Sequence, residues 1–406
     1  MAYKQLKKFL SNHTEYDLQF EKRFNGFGVF VTELYPYLLK RNKTQKSTNP
    51  LFVVPLKEIQ LLIQKIGEYS VQIKHISRNL PGVANDQFYK EQLYKAIISS
   101  NEIEGIKTER KEVSEAYESV ITNNQKRTRL KSTLSLYRDI MYSDKIDIHE
   151  LNDIRDLYDQ LTEGEIDSNE KPNGVLFRER IEGKIIMVGN HIPPETELEI
   201  TFQLSKWIEF INDHSFPYIV RAIIGHYFFE NIHPFNDGNG RIGRYIFSRY
   251  LSKKLDAFSG LVISQKINEN KAAYYKAFEI TGDAYNKAEA TFFMLSMLRY
   301  VSEGQKEIID ILEGKSQKLD VVMAWLKNNN YSDEENYILF LLYQSQLFTD
   351  DEDDGIQDNT ISKLAKEETT FSIRSIKRAL EKLEKTNIIT LSTKRPKRHK
   401  ITTPIV

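Results

Sequence analysis

Apolar residues recur along most of this chain at helical spacing. From Pro55 to about Leu80 they fall at Leu56, Ile59, Leu62, Ile63, Ile66, Val71, Ile73 and Ile76, and Pro81-Gly82 breaks the pattern. A second helix is predicted from about Asp86 to Glu104, with Phe88, Leu93, Ile97 and Ile103 on related faces. Helices are also predicted over 110–122, 127–142, 147–161 and 195–213. Ile219 to Ile232 is apolar on nearly every side, the mark of a buried helix. A short glycine-rich segment separates it from a helix running through Tyr245, Ile246, Tyr250 and Leu251, and segments 268–278 and 287–301 extend the series.

One island reads as strand: FRERIEGKIIMVGNHIPP, residues 177–194, in which Glu182-Gly183 between two short runs predicts a hairpin turn and Pro193-Pro194 ends the element. Residues 1–50 are mixed, with aromatic-rich runs from Phe24 to Leu39 and a polar KRNKTQKSTNP (40–50) that reads as a loop. The mixed stretch 306–335 reads as a linker to a smaller C-terminal unit. That unit opens on an apolar helix, Tyr337 to Leu347, followed by the acidic loop DDEDDG (350–355). TISKLAKEE and a second helix with the stripe Ile373, Ile376, Leu380 and Leu383 come next, then the strand-like NIITL and a basic STKRPKRHKITT. The order resembles a winged helix.

With 406 residues and roughly 100–200 per domain, about two to four domains are expected. Lys and Arg total 57 and so do Asp and Glu, so only local charge points to a partner. Positive charge is local from Arg374 to Lys400, where only Glu381 and Glu384 oppose ten lysines and arginines. A basic helix and wing suit DNA phosphates or the docking of a protein. The chain has no cysteine, which excludes disulfides, thiolate catalysis and cysteine-zinc sites. The N-terminus is too polar for a signal peptide and no apolar run approaches the ~18 residues of a membrane span, so a soluble, cytoplasmic protein without a membrane partner is expected.

Chemistry concentrates in HPFNDGNGRIGR, residues 233–244, where a chain with 18 glycines places Gly238, Gly240 and Gly243 within six positions. Gly238, Asn239 and Gly240 lie just before a predicted helix, whose first N–H groups have no internal partner and form an anion cradle. Arg241 in the first turn can add its guanidinium to the same oxygens, and Arg244 follows three residues on. Asp237 is placed for a metal held by phosphates, a Mg²⁺ pattern rather than a zinc one. His233 can take a proton from a hydroxyl. A base, a metal carboxylate and an anion hole are the parts of phosphoryl or nucleotidyl transfer. Phe235 reads as a core anchor for the loop. No metal cluster is expected from the other histidines: His226 lies seven residues before His233, and His191 ends the predicted hairpin.

The segment resembles the Fic family signature HPFx(D/E)GNGRxxR at every fixed position. The resemblance implies a mainly α-helical Fic core with a β-hairpin flap, an N-terminal helical region and the C-terminal winged-helix domain. It implies transfer of AMP from ATP to a Ser, Thr or Tyr hydroxyl of a target protein. His233 would then be the base, Asp237 the Mg²⁺ ligand, and Gly238, Asn239, Gly240 and Arg241 the holders of the α- and β-phosphates, with Arg244 on the γ-phosphate. The related Doc toxins, which phosphorylate, carry a lysine where this chain has Gly240, a departure that favours AMP transfer.

SSNEIEG (99–105) resembles the family's inhibitory motif, with Ser100 and Glu104 four apart on one helix face. By that resemblance Glu104 reaches Arg244 and occupies the γ-phosphate position, as in the class regulated from its own N-terminal helix. The family's flap implies that the target's extended segment is held at the 177–192 hairpin by β-augmentation. Tyrosines after the motif, Tyr275 and then Tyr274 in AAYYKAF, are candidates for the nucleoside border. The expected layout is an N-terminal region over 1–110 with the inhibitory helix, a Fic core over 111–305, a linker over 306–335 and the winged-helix-like domain over 336–406. Relatives commonly pair, so a homodimer is an expectation too. Two alternatives stay open: removal of AMP by the same site, and a DNA-binding regulator acting through 336–406.

Overall fold

The computed structural model describes residues 3–122, 129–142, 148–167, 169–181, 185–189, 191–350 and 355–402. The chain forms two packed units, one of Met1–Ser70 with Leu93–Lys306 and one of Val71–Gln92 with Glu307–Val406. The larger begins with a short 3-10 turn, Leu6–Phe9, then α1 (His13–Phe24), β1 (Phe30–Val31), β2 (Tyr37–Lys40), β3 (Lys43–Lys46) and β4 (Phe52–Val53). Helices follow: α2 (Lys57–Asn79), α3 (Gly82–Ile103), α4 (Arg110–Ile121), α5 (Lys131–Tyr142), α6 (Leu151–Leu161), α7 (Glu197–Asn212), α8 (Tyr218–Ile232), α9 (Asn239–Lys254), α10 (Ala257–Glu269), α11 (Lys271–Gly282) and α12 (Thr291–Lys327). The fold is mainly helical, as the periodicity predicts. Among the described residues no helix is long and apolar enough to cross a membrane.

The core is organised around α8. All of its residues except Tyr218 and Glu230 are buried, because it is apolar on every face and packs against α7 and α9. In turn α9 lies against α10, α5 and α6. The entry to α7 is set by a capping box, in which Thr196 accepts from the Glu199 N–H and the Glu199 carboxylate reaches back to the cap.

Three expectations need correction. KRNKTQKSTNP is not a plain loop: β2 and β3 form a hairpin with Tyr37 opposite Lys46 and Lys40 opposite Lys43. Its turn is Arg41-Asn42, at φ 49° and 62°, the left-handed pair that matches strand twist. The strand had no hydrophobic alternation to reveal it, since Lys43–Lys46 is wholly polar. Conversely, the 177–192 hairpin does not form regular strands among the described residues. It holds one isolated bridge, Val188 to His191, and the Glu182-Gly183 turn lies outside the described residues. Nor is 306–335 a linker for most of its length. Helix α12 runs unbroken to Lys327, with Ile308, Ile309, Leu312, Leu319, Val322 and Leu326 buried at helical spacing. The packed units divide inside α2, α3 and α12; the last division, after Lys306, coincides with the expected end of the core, whereas no division falls near 110.

In the smaller unit α13 (Asp333–Phe348), β5 (Ile356–Gln357), α14 (Asp358–Glu368), α15 (Ile373–Lys385), β6 (Ile389–Lys394) and β7 (Lys397–Ile401) follow in that order, and the sheet order is β5-β7-β6. Ile376, Leu380 and Leu383 pack into its core, whereas Ile373, at the exposed start of α15, does not. The basic stretch is less uniform in space than in sequence. Lys382 pairs with the buried Glu335 of α13 at 2.6 Å, and Lys397 lies 3.4 Å from Glu384 and 3.9 Å from Asp358. Most of the acidic loop, 351–354, lies outside the described residues.

The N-terminal segment is tied to the larger unit by a buried ion pair, Arg23 to Glu289 at 2.8 Å, and the Tyr3 hydroxyl donates to the same carboxylate. Removing one partner strands the other charge away from water. Arg23→Met is therefore expected to lower stability by about 3–5 kcal/mol, measured by urea unfolding.

Candidate active site

The site is made where two helix ends meet. α8 ends at His233, which takes the left-handed conformation (φ 53°, ψ 64°) as its C-cap. Five residues later α9 begins behind Gly238, also left-handed (φ 80°), with no side chain capping its first N–H groups. The loop between is clasped by Asn239. Its Oδ1 accepts from the Phe235 N–H and its Nδ2 donates to the Phe235 carbonyl, both at 2.8 Å. Phe235 is buried and stacks on Tyr158 with ring centroids 3.7 Å apart, so it is the anchor the sequence suggested. The Asn239 side chain is thereby taken up within the loop, and what it offers an anion is its backbone N–H at the start of α9.

Arg244 is buried, 1% exposed, and its donors are answered from the end of α3. It donates to the Ser100 carbonyl at 2.9 Å and the Ser100 hydroxyl at 3.2 Å, and it pairs with Glu104 at 2.7 Å. The Ser100 carbonyl is one of the helix-end acceptors left without an internal partner, and a cation there is favoured by the helix dipole. Gly105 follows in the left-handed conformation (φ 77°) and ends the helix. Gly240 must be glycine for this arrangement, because a Cβ there would overlap the Glu104 carboxylate and crowd the Arg244 guanidinium.

A cavity of about 480 Å³ opens beside this bridge, a volume within the range of small-molecule sites. Glu104, Arg244, Gly240, His233 and Glu230 line one part, and Tyr275, Phe278, Tyr227, Met187 and His191 another. The structure thus brings His233, Gly240, Arg244, Glu104 and Tyr275 to one space. Asp237, Gly238, Asn239, Arg241 and Ser100 stand around it rather than in its wall. Tyr274 lines the cavity beside Tyr275 but is buried, and its hydroxyl hydrogen-bonds the ring of His226 at 2.8 Å. His191 is buried against the Asn231 carbonyl at 3.0 Å. Burial, then the charge of Arg178 and that of His191, push the His233 imidazole down to about 3, so it is neutral at physiological pH.

Residues 146–251, which hold this loop and both flanking helices, match the model of the Fic/DOC family. This segment is a Fic domain. The chain is similar in fold to a Fic family protein from Desulfovibrio desulfuricans G20, with a TM-score of 0.51 at 18% identity over 86% of this chain and 97% of that one. Two structures of Fic-1 from C. elegans also match, at TM-scores of 0.43 and 0.42 and identities of 19% and 18%, over 63% of this chain and 72% of theirs. The family match supports a transferase activity in general.

The Fic loop holds features that its sequence did not disclose. Arg241 is paired with the buried Glu165 at 2.9 Å, and Asp237 lies 3.8 Å from it on the other side. Glu165 also accepts from the Thr133 hydroxyl at 2.8 Å. Its carboxyl is raised by burial, against the pull of Arg241. Arg178 caps the end of α8, and Glu230 sits one helical turn before His233. Glu165 and Arg178 come from segments with no motif of their own, and Glu230 had only its i−3 spacing from His233 to signal it.

Among the described residues no cluster of three or more His, Asp or Glu could hold a metal by itself. The half-exposed Asp237, whose Oδ1 accepts from the Gly238 N–H at 2.6 Å, is a single carboxylate beside an anion cradle. That donor set fits Mg²⁺ carried in by a nucleotide and completed by phosphate oxygens and water.

Glu230 yields a pH signature. Desolvation pushes its carboxyl from an ordinary 4.5 up to about 8, and Oε1 has no hydrogen-bond partner among the described residues. Between those values the folded chain keeps a proton that the unfolded chain has lost, so this group's contribution to stability falls as pH rises. Glu230→Gln removes the linkage. Urea unfolding at about pH 5 and about pH 8 should show the variant gaining on the wild type at the higher pH.

Proposed function

We propose that this protein is a protein adenylyltransferase, transferring AMP from ATP to a Ser, Thr or Tyr hydroxyl of a target, and that Glu104 holds it inhibited. The observation that carries the reading is the 2.7 Å bridge from Glu104 to Arg244 at the edge of a cavity that also holds His233. In this reading the bare N-terminus of α9 and Arg241 receive the α- and β-phosphates, and Arg244 receives the γ-phosphate once Glu104 withdraws. Asp237 would hold Mg²⁺, which when bound neutralises phosphate charge. Neutral His233 takes the proton of the target hydroxyl, whose oxygen bonds to the α-phosphorus as the bond to the β-phosphate oxygen breaks and pyrophosphate leaves. The absence of a side chain at Gly240 supports nucleotidyl transfer, since it leaves the cradle open. Tyr275, partly exposed in the cavity wall, is the candidate for the nucleoside border.

Removal of AMP by the same residues is the close variant of this reading, with Glu104 orienting water. Incubating wild-type protein with a pre-modified target separates the two. For the transferase reading, label from α-labelled ATP should appear on protein, increase in Glu104→Gly, and fall by about 10² or more in His233→Ala. Label from the γ-phosphate in place of the α-phosphate would sink it.

A second reading concerns the smaller unit. The order α13-β5-α14-α15-β6-β7 and the sheet order β5-β7-β6 support a winged-helix module. Arg374, Lys377 and Arg378 on α15 are exposed, but Lys382 and Lys397 face carboxylates of their own unit. That neutralisation favours docking of a protein over DNA. The full chain should shift random duplex weakly, and a tight, steeply salt-dependent shift would instead favour DNA.

A further inference from the structure

Arg178 lies 55 residues before the Fic loop, outside every motif, yet it is buried to 2% exposure against the backbone of that loop. Its Nε donates to the His233 carbonyl at 2.7 Å, and its Nη2 to the Pro194 carbonyl at 2.6 Å and the Ile232 carbonyl at 3.4 Å. Its own backbone N–H donates to the Pro234 carbonyl at 3.0 Å. Among the described residues all its hydrogen-bond acceptors are backbone carbonyls. No carboxylate pairs with it there, although Glu179 and Glu195 act on it from further away. This differs from Arg241 and Arg244, each of which has a carboxylate within 3 Å.

The acceptors it chooses have a meaning in the fold. Ile232 is the last residue of α8 and His233 its cap, so their carbonyls are among those that a helix end leaves without partners. A guanidinium there satisfies them and complements the negative end of the dipole. It also grips the carbonyl of the one residue in the loop that is a non-glycine in the left-handed region, His233. The link to Pro194 ties that grip to the segment that precedes α7.

We propose that Arg178 is the positioning residue of the base. It clamps the His233 carbonyl and holds that residue in its left-handed turn, and its charge adds to burial in disfavouring protonation of the imidazole. The proposal rests on the reading of His233 as the base. The other titratable or charged groups that line the cavity with His233 are His191, from the segment before α7, Glu230 on α8 itself, Glu104 and Arg244 at the bridge, and Glu279 on α11. His191 acts in the same direction as Arg178 on His233. Arg178 differs in also holding the backbone.

The test separates charge from grip. Histidine-labelled protein is titrated by NMR over about pH 2–7, with the His233 signal assigned by its loss in His233→Ala. AMP transfer is measured in parallel in the Glu104→Gly background. In Arg178→Met the His233 midpoint should rise by about one unit or more, so that near pH 4 the protonated fraction grows roughly fivefold. Arg178→Lys keeps the charge and loses the fork: its midpoint should stay near the wild type, while kcat falls about tenfold and the KM for ATP holds. An unchanged midpoint in folded Arg178→Met overturns the proposal. Should that variant not fold, a raised midpoint or a wild-type rate in Arg178→Lys overturns it instead. If no variant transfers AMP, the transferase reading fails, and the titration still decides whether Arg178 governs the imidazole.

Discussion

A guanidinium sealed inside a helical core must have its donors answered, and Arg244 imposes that demand on everything around it. It stands one turn into α9, behind the glycine-rich loop, where no residue of its own segment can neutralise it. The answer comes from the end of α3, through the Ser100 carbonyl, the Ser100 hydroxyl and the Glu104 carboxylate. That bridge spans some 140 residues of chain, needs a bare Gly240 in order to form, and closes one side of the cavity. An incoming phosphate group would offer anionic oxygens to the same guanidinium that Glu104 occupies. In the proposed reading regulation and nucleotide binding are therefore one competition for one cation.

The remaining charges follow from the two helix ends. The N-terminus of α9 gathers positive potential and draws acids: Asp237 from the loop and Glu165 from beyond α6, both facing Arg241. The C-terminus of α8 has the opposite polarity and draws a cation, Arg178. His233 sits at that second end, with a buried positive charge beside it and little water, and both conditions favour the neutral ring. Glu230, on the same helix, experiences the same loss of water with the opposite consequence, because its neutral form carries the proton. One apolar helix thus tunes two groups a single turn apart.

Much of this was legible in the sequence. The helices from α2 to α11 lie close to their periodic stripes. The loop resembled its family at every fixed position, and Ser100 lies on α3, with Glu104 in the turn just past its end, where both meet Arg244. The failures share a physical cause. The hairpin at β2-β3 escaped because Lys43–Lys46 is polar throughout and its register comes from a left-handed Arg41-Asn42 turn. The 177–194 island carried the composition of strands, but among its described residues the pairing is the single bridge Val188 to His191. The stretch 306–335 seemed a linker because its charges obscured the buried spacing from Ile308 to Leu326. The basic run near the C-terminus looked opposed only by Glu381 and Glu384 because Glu335 and Asp358 lie far from it in sequence.

The sequence by itself determined the chemistry on offer. Periodicity specified the helices, and the order of histidine, aspartate, glycines and arginines supplied the residue types that the proposed reading uses as base, metal carboxylate and anion cradle, since those depend on residue type and short spacing. Only the tertiary structure decided which charges answer which. Glu104 on Arg244, Glu165 on Arg241 and Arg178 on the end of α8 are pairings across 55 to 140 residues. They are set by how helix ends pack and by the cost of leaving a buried charge or carbonyl unmet, and no local spacing records that.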